Sequence, residues 1–160
     1  MFEEMRETAV SVTSNVFETM LFTFLEPRGR EEARDLSVLN SNVAFLTGEI
    51  GFLGKYSGKL RLTMPLDLAE RMASNFMGLE EEKATESQAV DLVNELCNMI
   101  CGNLSSRLAR SDQALTWNLA IPQTRILSHP EAGEEAGGEG IEVDFDADGD
   151  WVNLCIQVNA

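Results

Sequence analysis

The chain has 160 residues, of which 44 % are hydrophobic, enough for one ordinary core and too many for a disordered chain. Its formal net charge of −15 argues against nucleic acid, whose phosphates need Lys and Arg, and against anionic membrane surfaces. No apolar run approaches the ~18 residues of a membrane span, and the start, Met1-Phe2-Glu3-Glu4, is acidic where a signal peptide is basic. A single cytoplasmic domain over residues 1–160 is the expectation.

Residues 4–25 read as a first helix, with Ala9, Val12, Val16, Phe17, Met20 and Phe24 recurring at helical spacing and Pro27 ending it. The charged stretch from Arg28 to Asp35 reads as a loop. Residues 42–64 read as a hairpin. Its first run, Val43 to Gly54, is interrupted by Gly48 and Gly51, and Tyr56 to Gly58 forms the turn. The second run places Leu60, Leu62 and Met64 toward a core, and Pro65 stops it. Asp67 and Glu70 form a capping box for a short helix reaching Met77, followed by an acidic linker from Gly78 to Lys83.

The longest helix is expected between Thr85 and Ser111, opened by a capping box of Thr85 with Gln88. At about 100° per residue, Val93, Leu96, Cys97, Ile100, Leu104 and Leu108 share one side. Asp91, Glu95, Asn98, Gly102 and Ser105 share the other. That second stripe has no Lys, and it sets a carboxylate and a carboxamide three residues apart, as surface neighbours. Gly102 stands in a helix interior, where glycine costs about 1 kcal/mol against Ala; a bare spot beside a polar pair lets another surface approach. The stripe has two readings: the wet side of an amphipathic helix, or a constellation for a partner.

The last third is strand-rich. Trp117, Leu119 and Ile121 alternate before Pro122. Ile141, Val143 and Phe145 alternate with Glu142, Asp144 and Asp146, while Val152, Leu154, Ile156 and Val158 alternate with Asn153, Cys155 and Gln157. Asp148-Gly149 between these runs is a hairpin signal. The run Asp144 to Asp150 opens like a calcium loop, but Cys155 stands where the closing Glu belongs, so outward carboxylates on an edge hairpin are preferred. Residues 131–140 offer no apolar side chain larger than Ala, and a mobile acidic loop is expected there. Cys97, Cys101 and Cys155 read as buried packing. His129 is the sole histidine, so neither a metal set nor a nucleophile–histidine pair is formed.

The series Asp91-x-x-x-Glu95-x-x-Asn98, followed after 23 residues by Pro122, one more than the family's spacing, resembles the motif of the CheC/CheX/FliY chemotaxis phosphatases. Asn15 to Leu21 is similar to the first helix of CheX-type domains. One Glu-x-x-Asn site makes the CheX type the closest. The resemblance implies an α/β fold of the α+β type, a mostly antiparallel sheet packed by two long helices and one short one. It implies hydrolysis of the aspartyl phosphate of a CheY-like response regulator, with Glu95 and Asn98 catalytic and Asp91 and Gly102 binding the partner. No cofactor of its own is implied, since the phosphorylated receiver brings Mg²⁺; a homodimer is implied as well. Shifted by 80 residues, Ser11, Asn15 and Glu18 fall on Asp91, Glu95 and Asn98, as in the family's pseudo-repeat, but the residue types are exchanged and no second site is assigned. The alternatives are a non-catalytic receiver-binding or scaffold module using the same helix face, and a FliY-type switch component, for which no motor-binding domain follows Ala160.

Overall fold

A computed structural model describes residues 2–28, 44–79, 84–128 and 139–159. Among these described residues, three helices lie against one seven-stranded antiparallel sheet. In chain order the elements are α1 (Phe2–Leu21), β1 (Glu26–Arg28), β2 (Phe45–Leu53), β3 (Ser57–Pro65), α2 (Leu66–Met77) and α3 (Glu86–Ser111). A 3₁₀ turn (Gln113–Leu115), β4 (Asn118–Leu119), β5 (Gln123–Leu127), β6 (Glu139–Ala147) and β7 (Asp150–Asn159) follow.

The sheet order is β1-β6-β7-β3-β2, with β4 and β5 both pairing along the outer side of β2. Exchanging the two halves of the chain maps β2 on β6, β3 on β7 and β1 on the β4–β5 edge. The 80-residue shift between the two helix stripes thus has a counterpart in the sheet order, and each half lends an edge strand to the other half's hairpin.

Alternation sets the register. Leu60 sits opposite Ile50 and Ile156, and Leu62 opposite Gly48 and Leu154. Val143 pairs with Leu154 and Phe145 with Val152. These apolar side chains face the helices and are buried, as their period of two requires. The turn at Asp148 and Gly149 has φ of 51° and 95°, the two positive values of a type I′ hairpin.

Several expectations need correction. Helix α1 stops at Leu21, four residues early: Phe22 turns into the left-handed region at φ 51°, and Thr23 N–H donates to Phe17 O at 3.1 Å. Phe24 is consequently exposed, and Pro27 does not end a helix; it sits in the short edge strand β1, where no ladder donor is required. Arg28 belongs to that strand, and the rest of the expected loop to Asp35 lies outside the described residues. Gly48 and Gly51 do not interrupt β2, and Ser57 and Gly58 belong to β3, not to its turn. Asp67 is not the N-cap: α2 starts directly from Pro65, and Asp67 lies in its first turn, paired with Arg71 at 3.2 Å.

The outward carboxylates of the last hairpin are not on an edge, because β1 pairs with β6. Asp144 is buried opposite Asn153 and accepts from Trp151 Nε1 and Asn153 Nδ2, both at 2.8 Å. Asn153 and Cys155 are buried too, so this part of the sheet is covered on both faces. Ile121, the last of the alternating residues before Pro122, is 86 % exposed, and β5 forms beyond it by pairing with β2. Of the acidic loop, Glu139 and Gly140 belong to β6; the remainder, like His129, lies outside the described residues.

Candidate functional site

Helix α3 is fixed before it displays anything. Its capping box forms as the sequence predicts: Gln88 N–H donates to Thr85 Oγ1 at 3.1 Å, and Thr85 N–H donates to Gln88 Oε1 at 2.8 Å. Two first-turn donors are thereby satisfied within the chain itself. The apolar side, from Val93 through Leu96, Cys97, Ile100 and Leu104 to Leu108, is buried. It meets the sheet closely at Gly48, where a methyl would stand 2.7 Å from both Cys97 Sγ and Val93 Cγ1. The glycine is thus the recess into which the helix settles. Burial pushes both helix thiols up to about 12, so Cys97 and Cys101 are neutral packing groups.

Lateral contacts fix the rotation of α3. Thr124 Oγ1 donates to Asn94 Oδ1 at 2.6 Å, tying the helix to β5. Trp117 N–H donates to Ser105 Oγ at 2.8 Å, and the Trp117 ring stacks on Phe52 at 3.9 Å. Ser105, placed by its angle on the outer stripe, is therefore buried: the 3₁₀ turn and β4 fold back over this end of the helix. On another flank, Arg107 Nη1 donates to Ser11 Oγ at 2.8 Å and joins α1 to α3.

What remains uncovered is the rest of the polar stripe. Asp91, Glu95 and Asn98 are exposed, and Gly102 is partly covered. Glu95 and Asn98, three residues apart, are neighbours on the helix surface, and Asp91 lies one turn before Glu95. Among the described residues none pairs with Asp91, Glu95 or Asn98. A methyl built on Gly102 meets only Leu119 Cδ1, at 3.9 Å, so the space over this glycine is open. Leu119 lies against Gly102 and Thr124 against Asn94, so the segment between them, with Ile121 and Pro122, runs along the same length of α3 as Asn98. The sequence motif gave no reason to notice the exposed Ile121.

On α1, Ser11, Asn15 and Glu18 are also exposed. Ser11 is held by Arg107, and Asn15 borders a cleft of about 270 Å³ with Asn103, Ser106 and Arg110. The two stripes do not merge into one constellation. Among the described residues no group of His, Cys, Asp and Glu is arranged to hold a metal ion, and no helix is long and apolar enough to cross a membrane.

The α3 stripe therefore offers two carboxylates and one carboxamide, without partners among the described residues, on a helix whose opposite side is buried. It holds no nucleophile and no acid–base pair. Such a surface can accept a cation and hydrogen-bond a water.

A family model described as chemotaxis phosphatase CheX matches residues 46–146. The chemotaxis protein CheX from Vibrio vulnificus superimposes with a TM-score of 0.79 at 21 % identity, covering 98 % of this chain and 97 % of that one. A CheC-like superfamily protein from Shewanella sp. PV-4 gives 0.77 at 22 % identity, with both chains covered completely. The CheX–CheY–BeF₃–Mg²⁺ complex from Borrelia burgdorferi gives 0.71 at 18 % identity, covering 96 % and 97 %. No curated protein sequence matches the chain significantly.

Proposed function

The chain belongs to the chemotaxis phosphatase CheX family, and from that premise we propose that it hydrolyses the aspartyl phosphate of a CheY-like receiver. The observation that carries this reading is the pair Glu95 and Asn98, exposed, without partners among the described residues, and adjacent on a helix whose opposite side is locked to the sheet. The partner class is supported by the Borrelia CheX relative, which is seen with CheY, beryllofluoride and Mg²⁺. We further infer one domain over residues 1–160, a cytoplasmic location and a homodimer, with no cofactor of the chain's own.

Phosphoryl transfer to water needs an in-line nucleophile and neutralised charge more than covalent help. The receiver brings its Mg²⁺ and an active-site Lys. Asn98 can accept from a water through its oxygen and donate through its NH₂ without altering local charge, so it is suited to hold the attacking water in line. Glu95, one turn before it, is suited to pair with the receiver's Lys in a charge-assisted bond that seats α3 over the phosphoryl group. Asp91 extends that anionic edge by a turn, and Gly102 leaves clearance for the approach.

The test measures phosphate release from phosphorylated receivers of the same genome, with this protein substoichiometric, alongside titration with their beryllofluoride forms. Wild type turns over repeatedly. Asn98→Ala retains binding and loses about 10²-fold or more of the acceleration, the usual scale for misplacing a reactant. Glu95→Ala weakens binding by about 1–3 kcal/mol if the pair is shielded from water, and Glu95→Lys weakens it further. Normal turnover by Asn98→Ala removes the water-positioning role. Acceleration only in proportion to complex formed, or equal loss of binding in both variants, assigns the face to a scaffold.

A further inference from the structure

A groove between α2 and α3 opens beside the Glu95–Asn98 stripe and encloses about 190 Å³. Ala73 and Leu92 form its floor, Phe76 and Met77 one wall, and Asp91 and Glu95 its rim. The wall lies in the last turn of α2, which Gly78 closes at φ 71° with Leu79 N–H donating to Ser74 O at 2.9 Å. Phe76 and Met77 are 49 % and 48 % exposed. Single exposed apolar residues are ordinary, but two adjacent ones lining one concavity mark an interaction surface. The volume falls below the roughly 300–1,000 Å³ of small-molecule pockets, so one side chain of a docked protein fits it better than a free ligand.

We propose that this groove is the docking subsite for the receiver. It takes an apolar side chain from the receiver surface, flanked by a Lys or Arg that meets Asp91. The proposal rests on the phosphatase reading above. Two features select the occupant. Glu95 belongs to both the groove rim and the stripe, so a receiver whose Lys reaches Glu95 also covers the groove. The rim carboxylates have no ion-pair partner among the described residues, so a positively charged occupant complements them. A second copy of this chain, with a net charge of −15, would oppose them. The groove therefore governs affinity and receiver choice, while Asn98 governs turnover.

The experiment compares wild type, Phe76→Ser, Met77→Ser and Asn98→Ala on the phosphorylated receiver that wild type turns over fastest. Titrations with its beryllofluoride form and thermal melts accompany the kinetics. Both wall residues are half exposed, so the melts stay close to wild type. In the groove variants the half-saturating receiver concentration rises about tenfold or more, the effect of losing an interface anchor, with kcat unchanged. Asn98→Ala shows the opposite split. The docking proposal is overturned if both groove variants saturate at the wild-type concentration, or if kcat falls at unchanged affinity. It is also overturned if the substitutions change the oligomeric state of the free chain instead of receiver affinity, since the groove then seats a second copy. Failure of the underlying reading looks different: Asn98→Ala still turns over, or wild type accelerates no receiver, and either result removes the docking role with it.

Discussion

Replacing Gly102 by Ala separates the stability of α3 from its task. Glycine within a helix costs about 0.8–1 kcal/mol relative to Ala, through backbone entropy. At most positions that gain is offset by what the new methyl meets. Here the methyl meets only Leu119 Cδ1 at 3.9 Å, an ordinary contact. The full propensity term should therefore appear, and for a chain of this size about 1 kcal/mol raises Tm by roughly 2–4 °C. On the proposed reading, the same methyl, on the face beside Asn98, should lift an approaching receiver. Gly102→Ala should be more stable and a poorer phosphatase. Gly102→Leu, with similar helix propensity and a longer reach, should be poorer still, toward the ~10²-fold loss that about an ångström of misplacement produces. Calorimetry and phosphate release on the same samples give both quantities. A lowered Tm for the Ala variant refutes the open geometry over Gly102. A raised Tm with wild-type turnover in both variants refutes clearance as the reason for the glycine.

Gly48→Ala should behave in the opposite way, because its methyl would lie 2.7 Å from Cys97 Sγ and Val93 Cγ1; overpacking of this kind costs about 1–3 kcal/mol, read by urea unfolding, and wild-type stability would mean that α3 does not seat there. The Cys97 and Cys101 thiols, raised by burial from an ordinary 9.0 to about 12, should resist thiol reagents at neutral pH until the protein unfolds, and fast labelling of the native protein would contradict their burial. Their contribution to stability is fully present below about pH 9. It is lost as pH rises toward 12, because the unfolded chain releases protons that the folded one keeps. Urea midpoints should therefore fall across that range, less steeply in Cys97→Ala.

The elements legible in the sequence were those whose cause is local. The capping box of Thr85 and Gln88 formed at the predicted residues because its hydrogen bonds join groups three apart. The alternating runs of β3, β6 and β7 faced the core as read, and Asp148-Gly149 turned as its two residues require. What escaped was set by distant partners. Nothing local tells that Phe22, a bulky aromatic, takes the left-handed position usually filled by Gly and ends α1. β5 has a weak pattern, and its strand character comes from pairing with β2. Asp144 looks like a solvated carboxylate until Asn153 is placed opposite it and Trp151 beside it. Ser105 has the right angle for the outer stripe, yet is buried because Trp117, twelve residues on, donates to its hydroxyl. The groove wall of Phe76 and Met77 lies on α2, and no periodicity within α3 could reveal it.

Ser105 is the residue of the outer stripe that the structure buries, while Asp91, Glu95 and Asn98 stay exposed and have no partner among the described residues. A catalytic group that works by positioning must be held within a fraction of an ångström, and a solvated side chain on a helix has few contacts of its own to hold it. The precision therefore has to come from the backbone beneath. In α3 it comes from three directions: the recess at Gly48 under Val93 and Cys97, the Thr124 bond to Asn94, and the Trp117 bond to Ser105. Asn94 and Ser105 bracket Asn98 along the helix, so both its rotation and its slide are constrained at the turn where the water would be held. A long-range packing network invisible to pattern reading thus supports a short motif that pattern reading finds readily. The motif on a loosely packed helix would bind without catalysing, which is why turnover, and not binding, is the property expected to depend on these flanking contacts.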